Sequence, residues 1–224
     1  SWRNIRQEVR PEYTRRYAEL CDRARAAGSM EGQGEEAPVA APESPLPRDP
    51  YEVRFSGEGG QGVILAGVLL ADAAGSEGRQ VVHTQSYGPE ARGGACKSEV
   101  VLSTQEIAFP EVELPDAVVC LSPEAMRKCT DVRPGGLRIV DERALIGNTR
   151  QEGDIVLPLI QTAVEAGGEL AVNVVAVGAL AGITGIVSPA ALQVAIRGRM
   201  KPELIRLNQR ALEAGLQLGA RQLV

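Results

Sequence analysis

Aromatic side chains are scarce in this chain: Trp, Tyr and Phe together make up 3% of 224 residues. Proteins that hold single-stranded nucleic acid rely on aromatic stacking platforms, so that class is excluded. An excess of positive charge is lacking as well, since 29 acidic residues outnumber 24 basic ones for a net charge of −5. No broad basic field is available to gather phosphate backbones, and no nucleic-acid partner is expected. The basic residues concentrate in Arg3–Arg25 and Arg197–Arg210, where acids are interspersed among them. That mixture describes solvated helix faces.

Cysteine and histidine are equally sparse. Cys21, Cys96, Cys120 and Cys129 form no Cys-x-x-Cys pair, and there is a single histidine, His83. No zinc or iron–sulfur ligand set can be assembled from them. Cys120 sits in an apolar run and reads as a small core residue. A disulfide framework is not expected for a chain of this size and composition, which points to a reducing cytoplasm. The first residues show no signal-peptide pattern. The longest apolar stretch, Leu170–Val187, carries Asn173 and Thr184 and many small residues. It reads as a buried helix, and no membrane partner is expected. One His inside the run QVVHTQ cannot serve a Ser–His–Asp or Cys–His grouping, and it reads as a satisfied, half-buried side chain. Paired carboxylates for acid–base work are not evident either. No catalytic residue is assigned.

What the chain does contain is small aliphatic bulk: 44% of residues are hydrophobic, mostly Ala, Val, Leu and Ile, and there are 25 glycines. That mix suits apolar strands covered by closely packed helices. A domain of roughly 170 residues buries roughly 70% of its unfolded surface and needs no covalent staple. Residues 1–28 read as a charged helix with Tyr13, Tyr17, Leu20 and Ala24 in one stripe, a docking arm for a partner chain. Residues 29–50, rich in Pro, Glu and Ala, read as an extended linker. Residues 51–224 form the domain. Strands are expected at Glu52–Ser56, Gln80–Gln85, Lys97–Ser103, Asp116–Leu121, Leu137–Asp141 and Asp154–Leu157. Helices are expected at Gln61–Ala74, Ser122–Cys129, Leu159–Ala166, Ala171–Ala181, Pro189–Ile196 and Pro202–Gly219. Alternation of the two implies an α/β, Rossmann-like layered domain with a mostly parallel sheet, and residues 52–85 read as a βαβ unit.

Gly57-Glu58-Gly59-Gly60-Gln61-Gly62 fits G-x-G-x-x-G between a strand and a helix. Glycines permit the sharp turn, and the helix N-terminus offers free N–H groups to an anion. A self-contained dinucleotide site would carry an acid at the end of the second strand, and QVVHTQ has neither acid nor Arg there. Glu58 would also point a negative charge into the loop. Three readings stay open: a dinucleotide site, a turn needed only for packing, and a site completed by another chain. The second loop, Tyr87-Gly88-Pro89-Glu90-Ala91-Arg92-Gly93-Gly94, follows the second strand and is expected at the same sheet edge, where such sheets bind ligands. Arg92 can hold a carboxylate or phosphate in a fork of hydrogen bonds, Glu90 can orient Arg92, and Tyr87 offers a ring and a hydroxyl. The alternative is an ordinary loop with a solvated Glu90–Arg92 pair.

The two loops together carry a resemblance. FSGEGGQGVILAGVLLADAA followed by TQSYGPEARGGACKSEVVLS closely resembles the gamma subunits of 2-oxoacid:ferredoxin oxidoreductases, nearest the 2-oxoglutarate type, where QSYGPEARGG is distinctive. PEVELPDAVVCLS, GGLRIVD, NVVAVGAL from Asn173 and a closing helix with Asn208 and Gly215 agree. The resemblance implies a complex that converts a 2-oxoacid and coenzyme A to acyl-CoA and CO2. Thiamine diphosphate, Mg and [4Fe–4S] clusters would be carried by alpha, beta or ferredoxin-like delta partners, with no cofactor bound by this chain alone. It implies that Gly57, Gly59, Gly60, Gln61, Gly62, Tyr87, Gly88, Pro89, Glu90, Arg92 and Gly93 line an interface or the coenzyme A approach, with Arg92 facing the anion. Gamma subunits of this type usually begin near the first strand, so the arm departs from the pattern. An aryl 2-oxoacid enzyme, acting on phenylglyoxylate and passing electrons to NAD through a flavoprotein chain, is the other member that would suit it.

Overall fold

Successive side chains of each strand point to opposite faces of one sheet, and the two faces, both largely buried, differ in chemistry. The computed structural model describes residues 45–86, 95–128 and 130–223. The expected arm and most of the expected linker therefore lie outside the described residues. Strands are β1 (Tyr51–Glu58), β2 (Gln80–Ser86), β3 (Ala95–Ser103), β4 (Ala117–Cys120), β5 (Leu137–Asp141) and β6 (Asp154–Leu157). Helices are α1 (Val63–Ser76), α2 (Pro123–Lys128), α3 (Leu159–Ala166), α4 (Val172–Thr184), α5 (Pro189–Arg199) and α6 (Pro202–Ala220). Caps predicted from sequence are in place. The Ser122 hydroxyl accepts from the Ala125 N–H at 3.2 Å, and that of Ser188 from the Ala191 N–H at 3.1 Å, with Pro189 opening α5.

The sheet order is β2-β3-β1-β4-β5-β6. Pairings β1–β4, β4–β5 and β5–β6 are parallel, whereas β1–β3 and β2–β3 are antiparallel. The sheet is α/β and mixed. In place of a simple βαβ unit, β1 and β2 run in the same direction with β3 between them. Strand β3 runs antiparallel to both and fills the place beside β1 that β2 would take.

One face carries the main core. Val53 and Phe55, Val100 and Leu102, Val119 and Leu121, Ile139 and Leu157 pack there against α1 and α3 to α6. The other face has only small apolar clusters, around Val118, Cys120, Met126 and Val140 and around Val82, Val101 and Val112. Buried charge fills the rest. Arg54 Nε meets Glu99 Oε1 at 2.7 Å across the β1–β3 register, and Lys97 Nζ reaches Glu99 at 3.1 Å. Breaking such a buried pair from one side costs about 3–5 kcal/mol. Upstream of β1 the chain already engages the domain: Leu46 packs on the core, Arg48 pairs with Asp116 at 3.2 Å, and Asp49 accepts from the Thr104 N–H at 3.1 Å.

Helix α4 is buried from Val172 through Ala181, which explains its all-round apolar pattern. Its partner is α6. A Cβ at Gly178 would stand 2.8 Å from the Leu212 carbonyl oxygen, and one at Gly182 2.5 Å from that of Leu216. Gly215 and Gly219 press on the carbonyls of Val175 and Ala179 at still closer range. Four glycines at a spacing of four residues thus let two backbones touch. Any methyl here forces the helices apart, so Gly215→Ala should destabilise the domain by about 1–3 kcal/mol. A lower thermal unfolding midpoint measures this.

His83 sits on β2 with Nε2 2.7 Å from the buried Ser98 hydroxyl, facing Gly67 of α1. Burial pushes the imidazole below its ordinary value, with Asp72 pulling weakly the other way. The fold therefore favours neutral His83. Its contribution is complete above the ordinary histidine range, near pH 6.5, and is lost as pH falls through that range. Thermal midpoints between pH 7.5 and 5.5 should fall more steeply in the native protein than in His83→Gln.

Candidate functional site

The C-terminal ends of β1 and β4 lie side by side, Ser56 opposite Cys120, and the Leu121 N–H donates to the Ser56 carbonyl at 2.9 Å. The glycine segment leaves β1 at this edge. Strand geometry extends through Gly57 and Glu58, so the turn proper is Gly59–Gly62, shorter than the motif suggests. Strand alternation places Glu58 on the face bearing Arg54 and Ser56, opposite the face that α1 covers. The expectation that Glu58 projects into the loop is therefore corrected.

Gln61 closes the turn. Its Oε1 accepts from the Glu58 N–H at 2.8 Å, and its Nε2 donates to the Leu121 carbonyl at 3.0 Å. The Gln61 N–H also donates to the Glu58 carbonyl at 3.2 Å. Gly57 lies beneath this side chain, where a Cβ would stand 2.5 Å from Gln61 Oε1 and 2.8 Å from Val63. Gly59 and Gly60 face open space. Gly62 is left-handed at φ 69°, and the amide of Asn173 occupies the position of its missing side chain. Helix α1 starts on Gly62 with no side-chain cap and no acidic residue in its first turn.

The strands flanking the second loop end at the same edge. Ala95 pairs with Glu58, Lys97 with Ser56, and Ser86 with Lys97. The register thus brings both bases of the loop beside the glycine turn. Tyr87, Gly88, Pro89, Glu90, Arg92 and Gly93 themselves lie outside the described residues. Cys96, buried at the start of β3, donates its thiol to the Gly57 carbonyl at 3.4 Å. Asp141, at the end of β5, is buried and accepts from the Arg143 and Ile160 N–H groups at 2.8 and 2.9 Å. Burial pushes its carboxyl up, against those two bonds, so it serves as a structural cap.

Among the described residues, no group of three His, Cys, Asp or Glu side chains could hold a metal ion. Nor is any helix there long and apolar enough to cross a membrane. The edge offers backbone N–H groups, an amide and open glycine surface. Sequence reasoning did not anticipate that Asn173 meets Gly62 at this edge. The available signal was a lone amide in an otherwise apolar run.

Comparison with known proteins agrees with this geometry. The family described as pyruvate ferredoxin/flavodoxin oxidoreductase matches residues 52–218. The 2-oxoglutarate synthase subunit KorC of Methanothermobacter marburgensis is 42% identical over 177 residues, 75% of this chain and 95% of that protein. The crystal structure of the gamma subunit of a keto/oxoacid ferredoxin oxidoreductase from Geobacter sulfurreducens superimposes with a TM-score of 0.67 at 39% identity, covering 76% of this chain and 99% of that one. A 2-oxoglutarate:ferredoxin oxidoreductase from Magnetococcus marinus, solved with 2-oxoglutarate, coenzyme A and succinyl-CoA bound, matches with a TM-score of 0.67 at 25% identity, over 78% of this chain and 32% of that one. The chain belongs to the pyruvate ferredoxin/flavodoxin oxidoreductase family, as a gamma-type subunit of a 2-oxoacid oxidoreductase.

Proposed function

We propose that this chain helps to form the coenzyme A approach of a complex that oxidises 2-oxoglutarate. The overall reaction joins the 2-oxoacid and coenzyme A to give acyl-CoA and CO2, and two electrons pass to an acceptor. The description of the Methanothermobacter relative as a 2-oxoglutarate synthase subunit favours that acid, and the ligands of the Magnetococcus enzyme favour coenzyme A as co-substrate. The single observation that carries the role of this chain is the strand register. Pairing of Glu58 with Ala95 sets the base of the Arg92 loop beside Gly59–Gly62. A helix N-terminus and an Arg-bearing loop at one edge are suited to a phosphate-rich ligand.

The complex would carry thiamine diphosphate, Mg and [4Fe–4S] clusters, and among the described residues no group of His, Cys, Asp or Glu side chains could hold the metals. They are assigned to alpha, beta and ferredoxin-like delta partners, and no chemical step is routed through this chain. A cytoplasmic location accords with Cys96 and Cys120, which are buried thiols outside any disulfide among the described residues. A self-contained dinucleotide site is disfavoured, because Gln61 already takes the Glu58 N–H in the turn and β2 ends in Gln85 and Ser86, without an acid.

Arg92→Ala in the assembled complex should raise the apparent KM for coenzyme A by about tenfold, with kcat largely retained. An unchanged KM would mean that the loop contacts only protein. Running the same assay with phenylglyoxylate tests the acid, since faster turnover of the aryl substrate would displace 2-oxoglutarate. The N-terminal arm is assigned to docking of a partner chain. Removing residues 1–44 keeps the Arg48 and Asp49 contacts, so the thermal midpoint of the domain should hold while a partner is lost on purification. Recovery of the whole complex after that truncation would dismiss the docking role.

A further inference from the structure

The sheet ends in two edges, and they are built differently. Strand β6 is only four residues long, and its first residue, Asp154, is buried against Arg138. The Arg150 guanidinium also donates to the Asp154 carbonyl at 3.0 Å. Short strands and charges of this kind blunt an edge against further pairing. Strand β2 has none of these devices. It is seven residues long, QVVHTQS, without Lys, Arg, Asp, Glu, Pro or Gly. It pairs with β3 on one side and α1 lies over one of its faces, and among the described residues no strand pairs with its outer side. Its register with β3 runs unbroken from Gln80 to Ser86, so no bulge turns the outer side away. The outward N–H and C=O groups form an uncharged template for one more strand.

Two features fit a second copy of this chain in that place. A strand without charge can pair with itself and set no like charges against each other. Beside it, the exposed Arg199 Nη2 of α5 meets Asp72 Oδ1 of α1 at 2.9 Å, and Asp72 is close enough to His83 to influence its titration. A two-fold axis beside His83 brings one acid and one base from each copy together, so the flanks of the joint are matched in charge. We propose that β2 is a self-association edge, which joins antiparallel to β2 of a second copy and makes one continuous sheet of the two. With full overlap of the strands, His83 lies on the axis and Gln80 stands opposite Ser86 of the second copy. Val81, Thr84 and Gln85, half-buried or exposed in the single chain, gain cross-strand neighbours. Since β2 runs in the direction of β1, the joint sends the two glycine-turn edges to opposite ends of the assembly. This inference stands independently of the coenzyme A reading.

Disulfide trapping in the assembled complex and sedimentation of the full chain test it. In a variant with Gln80→Cys and Ser86→Cys, mild oxidation should link two copies of this chain through residues 80 and 86. Those positions are about 20 Å apart along one strand, too far to join within a single copy. Gln80→Lys with Ser86→Lys, both at exposed positions, sets two pairs of like charges across the joint. Self-association should weaken by about tenfold, with an unchanged thermal midpoint of the domain. A chain that sediments as a monomer at every concentration would overturn the proposal. So would a dimer as tight in the lysine variant as in the native protein, or a disulfide from β2 to a different subunit.

Discussion

Gln61 bonds in two directions, and the shape of the ligand edge depends on it. One end of its amide accepts the Glu58 N–H at the close of β1, and the other donates to the Leu121 carbonyl just past β4. Two parallel strands are thereby tied together where their ladder ends. The tie lies over Gly57, which must lack a side chain to admit it, and it leads directly into the left-handed Gly62 from which α1 departs. A longer or differently placed polar group would leave the Glu58 N–H or the Leu121 carbonyl unpaired in a half-buried place. The turn is thus held by protein atoms, not by a ligand, and can stand open with its shape already set.

Behind that edge, the helical layer supplies rigidity. Helices α4 and α6 approach until glycines on each press against carbonyls of the other. This contact fixes the start of α4, and so the position of Asn173, relative to the sheet. The apolar face of the sheet carries most of the core, while the opposite face relies on Arg54–Glu99 and on Asp116 with its Arg48 and Arg133 partners. Charge pairs at these places tolerate little rearrangement, since separating them leaves a buried ion. An edge mounted between two such faces keeps a fixed shape, as the proposed coenzyme A approach requires.

Such a fixed edge fits a gamma-type subunit. The family relationship spans nearly the whole described domain, and among the described residues no group of His, Cys, Asp or Glu side chains could hold a metal ion. The contribution proposed for the chain is geometric: an open glycine surface and a helix start held in fixed relation. Binding of this kind accelerates a reaction when it places a co-substrate that another subunit attacks or transfers to.

Much of this was legible from local pattern. Strand and helix positions, the Ser122 and Ser188 caps, the buried character of the 170–187 run and the satisfied state of His83 all follow from side-chain period and capping chemistry, which act over a few residues. The family could also be read from two loops whose residues are unusual in combination. Other features needed the tertiary structure. Period identifies a strand but not its neighbour, so the insertion of β3 between β1 and β2 was decided by its antiparallel pairing with both. Whether Gly57 and Glu58 belong to strand or turn, and hence which way Glu58 points, was decided by pairing with Ala95 and Cys96. Asn173 meets Gly62 across a long stretch of chain because α4 is pinned by α6. Contacts between distant segments depend on the packing of whole elements, and no local regularity encodes them.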